Sequence, residues 1–398
     1  MQPSRLRFLF LNVGHFLDHL FVLVFATAAL RLTLDWEMSY AELIPYATPG
    51  FIAFGLCAIP AGWLADKWSR EGMMVVFFFG IGASSILAGF ADSPIQIAIC
   101  LTLVGVFGAI YHPVGLAMVV QGLEKTGVPL AINGIFGNMG VASAALLTGI
   151  LVDTSGWRSA FVVPGFVAIG VGVLYMAFLK AHPESEVAPA QGGGASKSSD
   201  IPKQMLLRVF AIVLVTTAIG GLIFQSTTFA LPKVFDERLT DIAGTATLVG
   251  SYAFIVFAIA AFAQLVVGYL VDNHSVRTVF AVVVLLQAVF FFVMTQLEGV
   301  AALLVAIAFM LVVFGQIPIN DVLVGRISRS EWRSRAYALR YIVTFSVSAS
   351  AVPTIAWIHG THGFGTLFQV LAVAALVILV CVMLLPGKSH AINAPAAS

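Results

Sequence analysis

A histidine-rich stretch in the first long apolar segment carries the residues best suited to chemistry. His15, Asp18 and His19 are spaced i, i+3 and i+4, so a helix places them on one face. They lie near the middle of the apolar run 8–30, where a carboxylate is costly unless it faces a partner or water. Imidazole titrates near neutral pH. The stretch therefore predicts a site inside a membrane that binds and releases a proton at Asp18.

The fourth apolar run supplies a third histidine at a similar depth. His112 lies about 13 Å, and His15 about 10 Å, from the inner ends of their runs at roughly 1.5 Å per residue. Pro113 follows His112 and lacks a backbone donor, which predicts a bend there. We expect His15, Asp18 and His112 to couple proton binding to a conformational change. The alternative is that Asp18 and His112 form only a structural tie.

The same cluster also allows a metal site. Imidazole and carboxylate groups are ligands for borderline transition metals. The sequence has no Cys or Met within the cluster and no His-rich loop, which weighs against metal binding. We therefore expect no metal, and keep as the alternative a site made of His15, Asp18, His19 and His112.

Composition fixes the broad class of the chain. Of 398 residues, 60% are hydrophobic and only 10% are charged, against roughly 25% in a soluble domain. The net charge of +1 gives no reason to expect a nucleic-acid partner. The chain is predicted to be a multi-pass membrane protein.

Twelve apolar segments are long enough to cross a bilayer core of about 30 Å, which takes about 20 helical residues. They are 8–30, 43–65, 73–91, 94–121, 130–152, 157–180, 206–231, 245–270, 278–297, 300–322, 335–358 and 364–386. The polar, Gly/Ser-rich stretch 181–204 divides them six and six and predicts a flexible linker. We expect an all-α membrane protein with twelve transmembrane helices in two six-helix bundles, 1–180 and 205–398.

Basic residues set the orientation. With the N-terminus inside, fifteen Lys and Arg residues fall on the inner side and four on the outer side. Both termini and the linker are therefore predicted to be cytoplasmic, in a bacterial-type inner membrane.

A short motif occurs once in each half, after the second span of that half. Its members are Gly62, Asp66, Lys67 and Arg70 in the first copy and Gly268, Asp272 and Arg277 in the second. In each copy the Gly is expected to permit close helix packing. The Asp is expected to cap or pair at a helix end. The repeat resembles the inner-loop motif of the major facilitator superfamily. That resemblance implies two bundles that alternate access to a central site, with the residues of the loop motif acting in the conformational switch.

The histidine residues carry a closer resemblance. His15-x-x-Asp18 and Tyr111-His112-Pro113 are similar to the His-x-x-Asn/Asp and Phe-His-Pro patterns of the fosmidomycin-resistance branch of that superfamily. The resemblance implies proton-driven drug export. The chain departs from the branch at Val114, where an acid is common.

Further polar residues are candidates for binding the solute. They are His19 and Tyr111 in the first half, and Gln225, Gln316, Asn320, Asp321, Arg340 and Tyr341 in the second. An Arg within a span is usually paired or faces a cavity. Arg340 is therefore expected either to pair with Asp321 or to bind a solute with an anionic or polar oxygen group.

These patterns favour a monomeric, proton-coupled secondary transporter of a small organic solute, of the drug/proton antiporter kind. No nucleotide-binding fingerprint and no catalytic motif spacing appears, so we expect neither ATP drive, a cofactor nor an enzyme. The alternatives are a transition-metal transporter and a membrane assembly factor without transport. Charged groups inside the membrane argue against the assembly factor.

Overall fold

The computed structural model describes residues 3–123, 127–182, 203–327, 340 and 343–385, and its elements over these ranges are helical. Helices are expected for apolar segments in lipid, because each helix satisfies its own backbone hydrogen bonds. The elements of the first half are α1 (Pro3–Asp35), α2 (Tyr40–Leu43), a 3₁₀ turn (Ile44–Ala47), α3 (Thr48–Lys67), α4 (Arg70–Gly89), α5 (Pro94–Gly108), a π-helical turn (Tyr111–Gly115), α6 (Leu116–Val120), α7 (Gly127–Ser155) and α8 (Trp157–Ala181).

The helices of the second half are longer and have fewer breaks within the described ranges. They are α9 (Lys203–Arg238), α10 (Ala246–Asn273), α11 (Val276–Met294), α12 (Gly299–Ile327) and α13 (Ala351–Met383). Residues 343–348 are also helical and precede α13.

Eleven helical stretches of the described chain are long and apolar enough to cross a membrane, one fewer than the twelve predicted spans. The difference lies in the last stretch, Val343–Met383, which has 41 residues and covers the last two predicted spans. Gly363 interrupts α13 with φ 75° and ψ 177°, a conformation that side-chain-bearing residues avoid. The predicted all-α membrane fold of two six-helix bundles is confirmed, with Gly363 as the break between its last two spans.

Contacts between helices divide the chain into two compact units. The stretches Leu231–Asp236 and Ile242–Ile255 group with the first unit, and the main division falls within 183–202, outside the described ranges. Residues 183–202 of the predicted linker 181–204 lie outside the described ranges. The boundaries 1–180 and 205–398 therefore stay a prediction.

Helix α1 packs most extensively on α7, and small residues make this possible. A Cβ atom on Gly140 would lie 2.2 Å from the carbonyl oxygen of Phe16, so only glycine fits at this crossing. The close approach places the histidine-bearing face of α1 against the first turns of α7.

The fourth predicted span, 94–121, is not one continuous α-helix. Helix α5 ends at Gly108, and a π-helical turn spans Tyr111–Gly115 before α6 begins. Pro113 lies within the turn and cannot donate to the helical ladder, which gives a physical reason for the departure expected there. A Cβ atom on Gly62 of α3 would lie 3.2 Å from Cβ of Pro113, so the first loop motif packs against this turn.

Candidate functional site

Three imidazole rings meet in the first unit. The ring centroids of His15 and His19 are 4.9 Å apart, and each lies 5.4 Å from the centroid of His112. The spacing i, i+4 on α1 brings the first pair together, and the π-helical turn presents the third ring edge-on. One nitrogen from each ring can be chosen so that all three lie within 4.8 Å of one another. This group is called the imidazole cluster below.

Asp18 lies beside the cluster and is completely buried. One carboxylate oxygen, Oδ2, is 3.4 Å from Nε2 of His112. Neither oxygen has a hydrogen-bond partner among the described residues. A buried polar group without a partner costs about 1–3 kcal/mol, and an ionised one costs more. A group retained at that cost inside a membrane is a functional-site candidate.

The orientation of His15 is fixed from α7. Its Nδ1 lies 2.8 Å from the backbone carbonyl oxygen of Asn133, so Nδ1 carries the proton and donates it. That tautomer leaves Nε2 as the acceptor, and Nε2 has no hydrogen-bond partner within the described ranges. The stacked ring of Tyr111, with a centroid distance of 4.8 Å, covers one face of the imidazole.

A polar network supports this arrangement. The side-chain amide of Asn133 donates to Asn12 at 2.9 Å and to the Tyr111 hydroxyl at 2.8 Å, and that hydroxyl donates to the carbonyl of Leu11 at 2.8 Å. Tyr111 is fully buried and its hydroxyl is engaged on both sides. Its placement is that of a positioning residue for His15, whereas the sequence suggested contact with a solute.

Glycines leave room for the reactive groups. A Cβ on Gly137 would lie 2.7 Å from Nε2 of His15, and a Cβ on Gly108 would lie 3.2 Å from Oδ1 of Asp18. The ring of Phe54 meets His112 edge-on with a centroid distance of 5.9 Å. The cluster is therefore tightly enclosed by α3, α5 and α7, and any side chain added at these glycines changes it.

The second unit holds a different kind of polar group. Gln287 of α11 donates to Oε1 of Gln316 at 2.8 Å and to the carbonyl of Val312 at 3.1 Å. The Nε2 donor of Gln316 is buried and has no acceptor among the described residues, and a Cβ on Gly220 would lie 2.7 Å from it. The orphaned donor is available to an oxygen-bearing ligand.

Arg340 and Asp321 form the ion pair that the sequence suggested. The Arg340 side chain exposes 8% of its surface and that of Asp321 exposes 40%. Thr344 donates to the carbonyl of Arg340 at 2.9 Å. The pair is thus buried on the guanidinium side and open on the carboxylate side.

The remaining predicted solute residues differ in their surroundings. Asn320 lies 3.4 Å from the hydroxyl of Thr216, which donates to it. Gln225 is buried, and its Nε2 has no acceptor within the described part of the chain. Tyr341 lies outside the described residues.

The two copies of the loop motif have different packing. Arg70 donates to Asp66 at 3.0 Å, and Arg277 donates to the carbonyl of Met383 at 2.8 Å. Gly62 packs on Pro113, but a Cβ on Gly268 would have no atom of the described chain within 4 Å. The expectation that Gly permits close helix packing therefore fits the first copy, and for the second it stays a prediction, because the residues 328–339 and 341–342 lie outside the described ranges.

Three residues of these networks were not singled out as site residues from the sequence. Asn12 is part of the first polar network. The sequence favours helix packing and interhelical hydrogen bonding for Asn133 of α7. Gln287 lies in a mostly apolar helix. Each contributes through its contact with a residue far away in the chain. The one available sequence signal is an uncharged amide within an apolar segment, which marks a candidate for interhelical hydrogen bonding.

Curated relatives match limited parts of the chain. A probable sulfoacetate transporter of Cupriavidus necator is 27% identical over 128 residues, which is 32% of this chain and 30% of that protein. A 4-hydroxybenzoate transporter of Pseudomonas aeruginosa is 24% identical over 250 residues, 57% of this chain and 55% of that protein. A tetracenomycin C resistance and export protein of Streptomyces glaucescens is 26% identical over 165 residues, which is 40% of this chain and 30% of that protein. The chain spans about half or less of the length of these relatives.

Solved structures and a family profile cover nearly all of the chain. An inward-facing, unoccupied bacterial homolog of the human lysosomal transporter Spinster superposes with a TM-score of 0.72 at 14% identity, covering 97% of this chain and 95% of that one. A POT family transporter in complex with 5-aminolevulinic acid superposes with a TM-score of 0.74 at 11% identity, covering 94% of this chain and 95% of that one. These likenesses show the fold. The profile described as Major Facilitator Superfamily matches residues 8–244 and 238–397, and the chain belongs to that superfamily.

Proposed function

We propose that this protein is a secondary transporter that couples proton movement to the transport of a small organic anion by alternating access. The observation that carries the proposal is the Asp18 carboxyl group, which is fully buried, lacks a hydrogen bond and lies 3.4 Å from His112. A carboxyl group in that position changes its charge when it binds a proton. The change alters how α1 packs against the π-helical turn, because it alters the attraction between Asp18 and His112.

The organic anion is inferred from the second unit and from the relatives. Arg340 is a buried guanidinium, and Gln316 and Gln225 each present a buried amide donor without an acceptor among the described residues. Donors of this kind favour carboxylate, sulfonate or phosphate groups. Sulfoacetate and 4-hydroxybenzoate, named for two of the relatives, are both such anions.

We further propose export by proton antiport as the direction. The likeness of His15-x-x-Asp18 and Tyr111-His112-Pro113 to the fosmidomycin-resistance branch supports it. So does the relative named for tetracenomycin C export. The proposal places a monomer in a bacterial-type inner membrane, with both termini in the cytoplasm. Vesicles of opposite orientation, each with an imposed pH gradient, distinguish export from uptake.

The test is the Asp18→Asn variant in proteoliposomes, with radiolabelled sulfoacetate and 4-hydroxybenzoate as the first probes. A thermal-shift screen of organic anions selects further probes, because a ligand of the native state raises Tm. We expect the variant to lose accumulation driven by a pH gradient and to keep exchange of solute for solute. Asp35→Asn is the matched control on the same helix, where the carboxylate pairs with Arg31 at 2.8 Å and is partly exposed. Accumulation by Asp18→Asn at the wild-type rate would refute the proposal.

A further inference from the structure

We infer that the imidazole cluster binds one divalent transition-metal ion, with the carboxylate of Asp18 beside it. The site joins α1, which supplies His15 and His19, to the π-helical turn, which supplies His112. This inference goes beyond proton-coupled transport but concerns the same groups, because a proton on Asp18 or on a ring nitrogen competes with the metal ion. The supporting observations are the positions of the nitrogens, the orientation of one ring and the unpartnered carboxylate.

The distances allow the three rings to converge on one ion. Oδ2 of Asp18 is 3.4 Å from Nε2 of His112, so the carboxylate lies beside one of the rings. Ligand atoms at about 2.0–2.1 Å from a tetrahedral metal lie about 3.4 Å from one another. The three imidazole nitrogens lie within 4.8 Å of one another. Rotation of the rings about their side-chain bonds supplies the remaining approach.

One ring is already set for metal binding. His15 donates its Nδ1 proton to the carbonyl of Asn133 at 2.8 Å and thereby leaves Nε2 as the nitrogen with the lone pair. Ligating histidines in metalloproteins usually make this second hydrogen bond, which fixes the tautomer and the ring orientation. Nε2 itself has no hydrogen-bond partner in the described ranges, so its lone pair is available.

The carboxylate points to the same ligand. Asp18 is completely buried, and both of its oxygens lack hydrogen-bond donors among the described residues. A cation supplies the positive charge that such a carboxylate needs in an apolar environment. A proton meets that need for one oxygen of Asp18 but leaves Nε2 of His15 without a partner. A metal ion held by the three rings gives Nε2 of His15 a partner and supplies a positive charge next to Asp18.

The donor set selects the class of metal. Three imidazoles with a carboxylate beside them, without a thiolate or thioether, suit Zn²⁺, Co²⁺ or Ni²⁺ better than Cu⁺ or the hard cations Mg²⁺ and Ca²⁺. The pair His15 and His19 has the i, i+4 spacing with which one helix face holds zinc.

The experiment titrates Co²⁺ into the purified full-length chain without an affinity tag, after treatment with a chelator. Tetrahedral Co²⁺ gives visible d–d absorption, and we expect that signal to saturate at one ion per chain and to disappear when Zn²⁺ is added. His19→Ala and Asp18→Asn should each weaken Co²⁺ binding by at least about tenfold. His362→Ala, which removes an exposed histidine elsewhere, is the control and should bind like the wild type.

Gly137→Ala keeps all three ring ligands and presses on the ring of His15, since its Cβ would lie 2.7 Å from Nε2. We expect it to weaken Co²⁺ binding by about tenfold, in the manner of a disturbed supporting contact. This variant keeps the inference testable if a ligand variant fails to fold. Saturation that is equal in wild type, His19→Ala and Gly137→Ala would overturn the metal site, as would absence of the tetrahedral signal in the wild type. Because no solute or pH gradient is used, either result is independent of the transport test with Asp18→Asn.

Discussion

The polar groups of the two units differ in kind. In the first unit, three imidazoles and a carboxylate lie close to one another. Each of these groups can bind or release a proton. In the second, the buried groups of α9, α11 and α12 are mainly amides and hydroxyls, joined by hydrogen bonds such as Gln287 to Gln316, with Arg340 and Asp321 paired. Amides and hydroxyls keep their charge across the physiological pH range.

Under the proposed function, the difference corresponds to two tasks in two parts of one chain. A group that titrates can store the energy of a proton gradient, whereas a fixed set of donors can recognise an anion without changing its own charge. The first unit is therefore suited to coupling and the second to solute selection. Variants made in equivalent ways in the two units test this division.

The largest effect on solute affinity is expected from Arg340→Gln. A hydrogen bond to a charged group contributes about 1.5–3 kcal/mol, so affinity for an organic anion should fall about 10- to 150-fold. Arg340→Lys keeps the charge but not the planar fork, and should recover part of the affinity. Solute binding is measured by the shift in Tm or by counterflow. If Arg340→Gln kept the wild-type affinity for the solute but lost accumulation driven by a pH gradient, the proposed roles of the two units would be reversed.

The next effect concerns folding of the first unit. Gly140→Ala places a methyl group 2.2 Å from the carbonyl of Phe16, a backbone atom that cannot rotate away. We expect a loss of about 1–3 kcal/mol in stability, as is typical of overpacking. Gly134→Ala is the matched control on the same helix, because a Cβ there has no atom of the described chain within 4 Å. Thermal unfolding in detergent measures both, and equal Tm values would contradict the packing of α1 on α7.

A matched pair of alanine variants compares the two units directly. Gly137→Ala presses on His15, and Gly220→Ala presses on Nε2 of Gln316, with both Cβ atoms 2.7 Å from the nearest side-chain atom. The neighbours are side chains that can move, so we expect effects of a few fold. Gly137→Ala should lower accumulation driven by the pH gradient and spare affinity, while Gly220→Ala should do the opposite. Identical profiles for the two variants would remove the distinction between the units.

The smallest effect on stability is expected from Asp66→Ala. Its ion pair with Arg70 is an exposed i, i+4 pair, which contributes about 0.3–0.5 kcal/mol. We expect an unchanged Tm and unchanged solute affinity but slower exchange, because the loop motif is predicted to act in switching. Asp272→Ala is the counterpart in the second copy. Loss of affinity with normal exchange kinetics in either variant would contradict the switching role.

Much of the fold was predictable because the length of an apolar segment is a property of the sequence itself. The spans agree with the helices except where local geometry intervenes. Pro45 leads the second span into a 3₁₀ turn at Ile44–Ala47, and Pro113 lies in the π-helical turn. The break at Gly363 depends on a backbone conformation that glycine allows but does not require.

The candidate site was predictable in part. Helical spacing groups His15, Asp18 and His19, and comparable depth suggests His112, but the sequence does not show how the rings are oriented. That orientation comes from the carbonyl of Asn133, which is a backbone group and has no sequence signature. Gln287 was missed for a similar reason, because its role depends on Gln316 lying opposite it on a neighbouring helix.

The π-helical turn at Tyr111–Gly115 also changes how the fourth span must be read. A π-turn accommodates one extra residue, and each residue of an α-helix advances the face by about 100°. A helical wheel drawn with a uniform period from Pro94 therefore misplaces the residues after the turn by about 100°. Met118 and Val119, which are both buried, are two of these residues. Deleting one residue within the turn would restore a regular helical period. It would also rotate α5, before the turn, relative to α6, after it. Alignments of this span across related chains should accordingly place their gaps at the Tyr-His-Pro motif.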